Sequence, residues 1–201
     1  METIGLADVT VVRGGRPLLN HVSLTVGAGV TLVEGAAASS TVVLEALAGA
    51  IPLDEGQRLV DGAPARGMAA RALTMVPACS WEAGHLSVRR ALLLTALLWD
   101  LKSTQGGTSR EIARWRLSPL LGRRMAELSR GEERCVLLAA SLVPSPTAWI
   151  VDGGAESLDA QGRVIFADLI TRVHLGLPGA PRIAVVSGDI DVRLANTRLR
   201  I

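Results

Sequence analysis

Apolar positions in this chain fall into short runs divided by small and polar residues. Residues 3–12 (TIGLADVTVV) and 21–26 (HVSLTV) alternate or run apolar on either side of Gly14-Gly15, which predicts two antiparallel strands at a domain edge. Gly27-Ala28-Gly29 turns into residues 30–33, a short buried strand. The small residues 35–39 then form a loop, and a helix runs over 40–48 with Gly49 as its C-cap. A strand, a tight small-residue loop and a helix in that order aim backbone N–H groups at an anion such as phosphate. Residues 57–61 and 72–76 read as short strands, the second stopped by Pro77. A helix follows over 91–101, a polar break over 103–107 (STQGG) and a further helix over 111–117.

The second half repeats the alternation more clearly. A polar turn, Ser129-Arg130-Gly131-Glu132, leads into an apolar helix over 133–143 that Pro144 and Pro146 stop. Residues 147–151 are an apolar run of strand length ending in Asp152. A helix over 161–175 places Val164, Ile165, Leu169 and Val173 near one face, and residues 182–187 are another buried strand. A short helix over 192–196 and a last strand over 197–201 follow. Apolar helices alternating with apolar strands predict an α/β fold whose mostly parallel central sheet is covered on both faces. A carboxylate at the C-terminal end of such a strand, as at Asp152, lies where open α/β sheets bind ligands.

Composition narrows the picture. At 201 residues the chain is a single domain, or a core with an insertion, and 49% apolar content supplies a core without any run long enough to span a bilayer. The first residues lack a signal-peptide pattern, so a cytoplasmic location is expected. Cys79 and Cys135 have no metal or redox spacing and read as buried free thiols. A net charge of +2, scattered arginines, no Tyr and a single Phe argue against nucleic acid as a partner. His21, His85 and His174 match no motif and read as surface or capping residues. Of 21 basic residues only Lys102 is a lysine, so chemistry that needs a lysine elsewhere is excluded.

Residues 128–132 (LSRGE), the helix after them, the proline break, the strand ending in Asp152 and Ser157-Leu158-Asp159 together resemble the nucleotide-binding subunit of an ATP-binding cassette (ABC) transporter. In that family these are the signature motif, the Walker B strand and the D-loop. The resemblance implies a P-loop NTPase-like cassette. Residues 1–78 and 128–201 would be the α/β core with an N-terminal antiparallel β part, and 79–127 an inserted helical subdomain that receives a membrane permease. Within it, most of Leu92, Leu93, Leu94, Leu97, Leu98 and Trp99 would be core and the rest a docking face. ATP and Mg are the implied cofactors, with Thr41 and Asp152 as magnesium candidates.

The same alignment exposes departures from the family pattern. The phosphate loop G-x-x-x-x-G-K-[ST] falls on Glu34, Gly35, Ser39, Ser40 and Thr41, of which only Thr41 conforms. A missing lysine removes a charge-assisted contact of roughly 1.5–3 kcal/mol, and Glu34 adds a carboxylate beside the phosphates. Ala78 stands at the expected Q-loop glutamine, Gly153 at the glutamate after Walker B and Gly188 at the switch histidine. Arg13 stands at the adenine-stacking aromatic. Glu156 belongs to the turn after Gly153 and is not expected to substitute. A lost general base costs about 10²–10⁴ in rate.

Retained are the groups that in the family act on ATP held by the other subunit: Ser129, Arg130, Gly131 and Glu132 of the signature, and Asp159. The resemblance therefore implies a degenerate subunit of a bacterial transporter that pairs with a competent cassette and donates LSRGE across a heterodimer, peripheral to the inner face of the plasma membrane through a permease. Two alternatives stand beside it: a scaffold that binds no nucleotide, and a weakly active homodimeric ATPase. Ser129 also fits an N-cap with Glu132 completing a capping box, which is compatible with either role.

Overall fold

The computed structural model describes residues 1–65, 72–78, 84–99 and 104–201. Cys79, Lys102 and the start of the expected 103–107 break lie outside those residues.

Two sheets organise the chain. β1 (Ile4–Arg13) and β2 (Arg16–Val26) form a hairpin with β4 (Glu55–Val60) and the short β5 (Ala63–Pro64) beside them, in the antiparallel order β2-β1-β4-β5. Both turn residues, Gly14 and Gly15, take positive φ, so the turn spans two residues and β2 begins at Arg16, five residues before the expected strand. The second sheet has the order β6-β7-β8-β3-β9, from β3 (Gly29–Glu34), β6 (Leu73–Val76), β7 (Ala148–Val151), β8 (Ile183–Ser187) and β9 (Thr197–Arg200). All of its pairings are parallel. The expected α/β architecture, with its parallel sheet and antiparallel N-terminal part, is the one observed.

Strands buried on both faces explain why their sequences are continuously apolar. Ala148 and Ile150 of β7 join the cluster that includes Ile4, Leu6, Val43 and Leu44, whereas Trp149 and Val151 join the one that includes Leu138, Phe166 and Leu169. The first cluster lies against α1 (Ala37–Ala48) and the antiparallel sheet, and the second against α4 (Arg130–Leu142) and α5 (Ala160–His174). Trp149 is fully buried, 5.8 Å from the Phe166 ring, and its Nε1 donates to Ser141 Oγ at 2.8 Å. Replacing Trp149 with Ala is expected to destabilise the chain by about 3–5 kcal/mol, read as a lower midpoint in urea.

Four further elements depart from the sequence reading. Helix α1 begins at Ala37 instead of 40, the change that matters most for the site. α3 (Thr104–Arg114) runs through Gly106 and Gly107, where a break was expected. A Cβ at Gly107 would lie 2.5 Å from Val143 O, so the glycine allows close helix approach and the turn signal is overridden by packing. On α2 (Val88–Leu98), Leu92 is buried, but Leu93, Leu97 and Leu98 are exposed and Leu94 and Trp99 only half-buried, so most of that leucine-rich stretch is not core. The expected helix over 192–196 is a single 3-10 turn, Val192–Leu194. Cys135 is buried as expected, and that burial, reinforced by Asp159 and Glu132, pushes its thiol up to about 12.

Candidate nucleotide site

The C-terminal ends of β3, β7 and β8 lie side by side, with Val33 opposite Ser187 and Val151 opposite Val186. This edge gathers every residue expected in the phosphate loop, together with Asp152, Gly153 and Gly188. Between Glu34, the last residue of β3, and Ala37, the first of α1, only Gly35 and Ala36 remain as connection. Ser40 N donates to Ala36 O at 3.0 Å, an ordinary helical bond. Residues 37–39 of the expected five-residue loop are therefore wound into helix. The reason is local: Ala37-Ala38-Ser39 offers helix formers and no glycine, where an open loop needs residues that resist the helix. Ala36 caps α1 with no side-chain bond, and Ser40 is buried.

The mouth of this connection is crowded by β9. Ile201 N donates to Glu34 O at 2.9 Å, and a Cβ on Gly35 would lie 2.5 Å from Ile201 O. Arg200 Nε reaches Glu34 Oε2 at 3.4 Å, an exposed and hence weak pair. Behind it, Asp152 is buried with both oxygens engaged: Thr41 Oγ1 donates to Oδ2 at 2.7 Å and Ser187 Oγ to Oδ1 at 2.7 Å. Ser187 Oγ in turn accepts from Gly153 N at 2.9 Å. Hydroxyl and carboxylate at this spacing fit one side of a magnesium ion. The phosphate side does not fit: no lysine is present, the first helical turn fills the loop, and a carboxylate stands at Glu34.

The signature residues form a second, exposed group. Ser129 caps α4, its Oγ accepting from Glu132 N at 3.2 Å while Glu132 Oε2 accepts from Ser129 N at 2.8 Å, a closed capping box. Arg123 Nη1 donates to Glu132 Oε1 at 3.0 Å, and Arg130 is exposed. The Ser129 amide, with the Ser129 hydroxyl and Arg123 behind it, holds the Glu132 carboxyl below its ordinary 4.5. A lowered folded value means stability that is full above the unfolded value and lost as pH falls through the folded one. The difference in melting temperature between the unaltered chain and Glu132→Gln is therefore expected to shrink as pH falls below the ordinary 4.5. A Cβ on Gly131 would lie 3.0 Å from Ser157 O, so a side chain there would push α4 and the D-loop apart by a few tenths of an ångström. Asp159 caps α5, accepting from Gly162 N at 2.6 Å.

Comparison with known proteins decides the family. The chain is 31% identical over 99% of its length to the cytochrome c biogenesis ATP-binding export protein CcmA of Rhodobacter capsulatus, covering 86% of that protein. The chain belongs to the ATP-binding cassette (ABC) family. It is also 28% identical to the zinc import ATP-binding protein ZnuC of Marinobacter nauticus, over 96% of this chain and 71% of that one. The dimeric bacterial ABC transporter cassette MJ0796 superposes with a TM-score of 0.81 at 16% identity, over 98% of this chain and 94% of the other. An ATP-binding subunit of an ABC transporter gives 0.80 at 16%, over 98% and 85%. No model of a known protein family matches the sequence.

Two features of this cassette escaped the sequence reading. Arg134, buried one turn into α4, donates Nη1 to Pro77 O at 2.6 Å and Nη2 to Asp152 O at 2.5 Å and Gly153 O at 2.8 Å. It ties the signature helix to the ends of β6 and β7. Nothing in the sequence marked it, since Arg134 follows Arg130, Glu132 and Glu133 at the charged start of the helix. The second feature is a cleft of about 730 Å³ lined by Gly49, Met75, Pro77, Thr95, Trp99 and Leu137; Leu97 and Leu98 of the same helical segment are exposed. Thr74 Oγ1 there is buried without a hydrogen-bond partner among the described residues. No helix among those residues is long and apolar enough to cross a membrane, and no group of three His, Cys, Asp or Glu is placed to hold a metal.

Proposed function

We propose that this cassette is an ATP-binding transport subunit that does not hold a triphosphate in its own phosphate loop but donates its signature to one held by a partner cassette. One observation carries the reading: α1 starts at Ala37, so the backbone N–H groups that would line a phosphate loop belong to a helical turn. Phosphoryl transfer depends on positioned charge, and here the lysine, the glutamate and the histidine positions hold Ser40, Gly153 and Gly188. The trans-acting group differs in kind. Ser129 is exposed at the N-terminus of a thirteen-residue helix, with Arg130 beside it, and Gly131 packs against the D-loop. A capped helix N-terminus with an adjacent guanidinium favours an anion brought from outside.

ATP with magnesium would supply the phosphoryl group and its charge neutralisation at that shared site; Ser129, Arg130, Gly131 and Glu132 would orient it, and Asp159 would hold α5 and the D-loop in place. The cleft beside Trp99 and the exposed Leu97 and Leu98 would seat a permease segment, with residues 79–127 acting as the helical subdomain, which places the chain at the inner face of the membrane. Relatives of similar identity carry names of different cargo, cytochrome c biogenesis export and zinc import. Likeness at this level supports the ATP-binding role and leaves cargo aside.

The test uses a repaired copy of the chain carrying Glu34→Gly, Ser39→Gly, Ser40→Lys and Gly153→Glu, with Ser129→Asp so that it depends on another chain's signature. Hydrolysis by the mixture, with neither chain active alone, is expected. Hydrolysis by the unaltered chain alone overturns the reading, as does an inactive mixture in which the repaired copy binds labelled ATP.

A further inference from the structure

Glu156 is exposed and lies in the turn between Walker B and the D-loop, where the sequence offered it no role. The structure places its carboxylate at the junction of two glycines. A Cβ built on Gly188 would collide with Glu156 Oε1, and its carboxyl carbon would be only 2.8 Å away. A Cβ on Gly153 would lie 3.8 Å from Oε2. One carboxylate thus fills the space a side chain at Gly188 would need and lies within ordinary contact of a Cβ at Gly153. It is held there: Oε1 accepts from Asp189 N at 2.9 Å.

That bond adds a side-chain tie between the turn and the end of β8. Gly154 N donates to Ser187 O at 2.8 Å and Ala155 N to Asp189 O at 3.3 Å, which bring the start of the turn against the end of β8. From α5, Arg163 Nε donates to Leu158 O at 3.0 Å and Nη2 to Glu156 O at 3.3 Å. From α4, Gly131 abuts Ser157 O. Gly188, at φ +84°, has a left-handed backbone that glycine adopts without strain, so the absence of a side chain there serves both the backbone and the carboxylate.

We propose that Glu156 is the positioning residue for the D-loop, its carboxylate latching Ser157-Leu158-Asp159 to the end of β8 so that the loop is presented to the partner cassette. This rests on the signature-donor reading. Because the carboxylate is exposed, the latch adds little to global stability; its effect is on where the loop sits. A displacement of about 1 Å in a positioning element can cost up to about 10² in rate.

Hydrogen exchange at the Asp189 amide of the isolated chain reads the latch directly. Glu156→Ala is expected to speed that exchange about tenfold with an unchanged melting temperature, and Glu156→Gln, whose amide oxygen can still accept, to restore the slow rate. Mixed with the repaired copy, Glu156→Ala is expected to lower kcat about tenfold at constant KM for ATP, with Glu156→Gln again rescuing. Unchanged exchange in Glu156→Ala overturns the latch itself. Faster exchange with unchanged kcat, in a mixture still abolished by Ser129→Asp on the unaltered chain, overturns its positioning role. Faster exchange in a mixture indifferent to Ser129 overturns the donor reading beneath it, and the role with it.

Discussion

The isolated chain carrying Glu34→Gly, Ser39→Gly and Ser40→Lys is expected to bind Mg·ATP about 100-fold more tightly than the unaltered chain in equilibrium dialysis with labelled nucleotide. The lysine supplies the largest part. A charge-assisted contact of roughly 1.5–3 kcal/mol corresponds to about 10–150-fold in affinity. Glycine at 39 acts on the helix: it is about 1 kcal/mol poorer than alanine in a helix interior and poorer than serine too, so it weakens the turn that now fills the loop. Removing Glu34 contributes least. Its carboxylate already faces Arg200, and the pair is solvent-exposed and screened. Ser40→Lys alone is therefore expected to do less than the triple variant, because a lysine on a wound helix meets only the uncapped amides of its first turn and not those of an open loop. Tight binding by the unaltered chain would place the phosphates somewhere other than this turn, and would remove the basis for reading it as a donor.

How much of this was legible follows from what each signal depends on. β3, β7 and β8 were readable because a strand buried on both faces has to be mostly apolar, and apart from Thr31 their residues are (Val30 to Val33, Ala148 to Val151, Ile183 to Val186). The cap at Gly49 and the box of Ser129 with Glu132 were readable because both are local chemistry, completed within one turn. The start of α1 was misread because the family spacing was imposed on residues whose own propensity is helical. The helix through Gly107 was misread because its cause, the approach of Val143 O, lies 36 positions away in the chain. Arg134 and Glu156 were invisible for the same reason. Each acts on backbone groups of distant segments, at Pro77 and Gly153 for the one and Asp189 for the other, and no spacing in the sequence encodes those meetings. The exposed leucines of α2 show the converse error, in which an apolar stretch was assigned to the core although it borders an open cleft.

Three substitutions at Ser129 separate its capping role from its proposed role toward a partner's nucleotide, and the separation is expected to be large. Asp caps a helix as well as Ser does, and its charge suits the positive N-terminus of α4, so Ser129→Asp is expected to melt at or slightly above the unaltered temperature. The same charge would face a triphosphate across the interface. Hydrolysis by the mixture with the repaired copy is therefore expected to fall at least ~100-fold, through like-charge repulsion in a partly dehydrated site. Ser129→Ala should behave in the opposite sense. Losing the cap costs about 1 kcal/mol of stability, while hydrolysis falls by no more than the single hydrogen bond the hydroxyl would have given, roughly tenfold. Ser129→Arg should lose both, since arginine neither caps nor leaves room at the interface. If Ser129 only capped α4, activity would follow melting temperature across the series, and the Asp variant would be as active as the unaltered chain. A stable Asp variant that is far less active than the less stable Ala variant is what a group held ready for another subunit's phosphates requires.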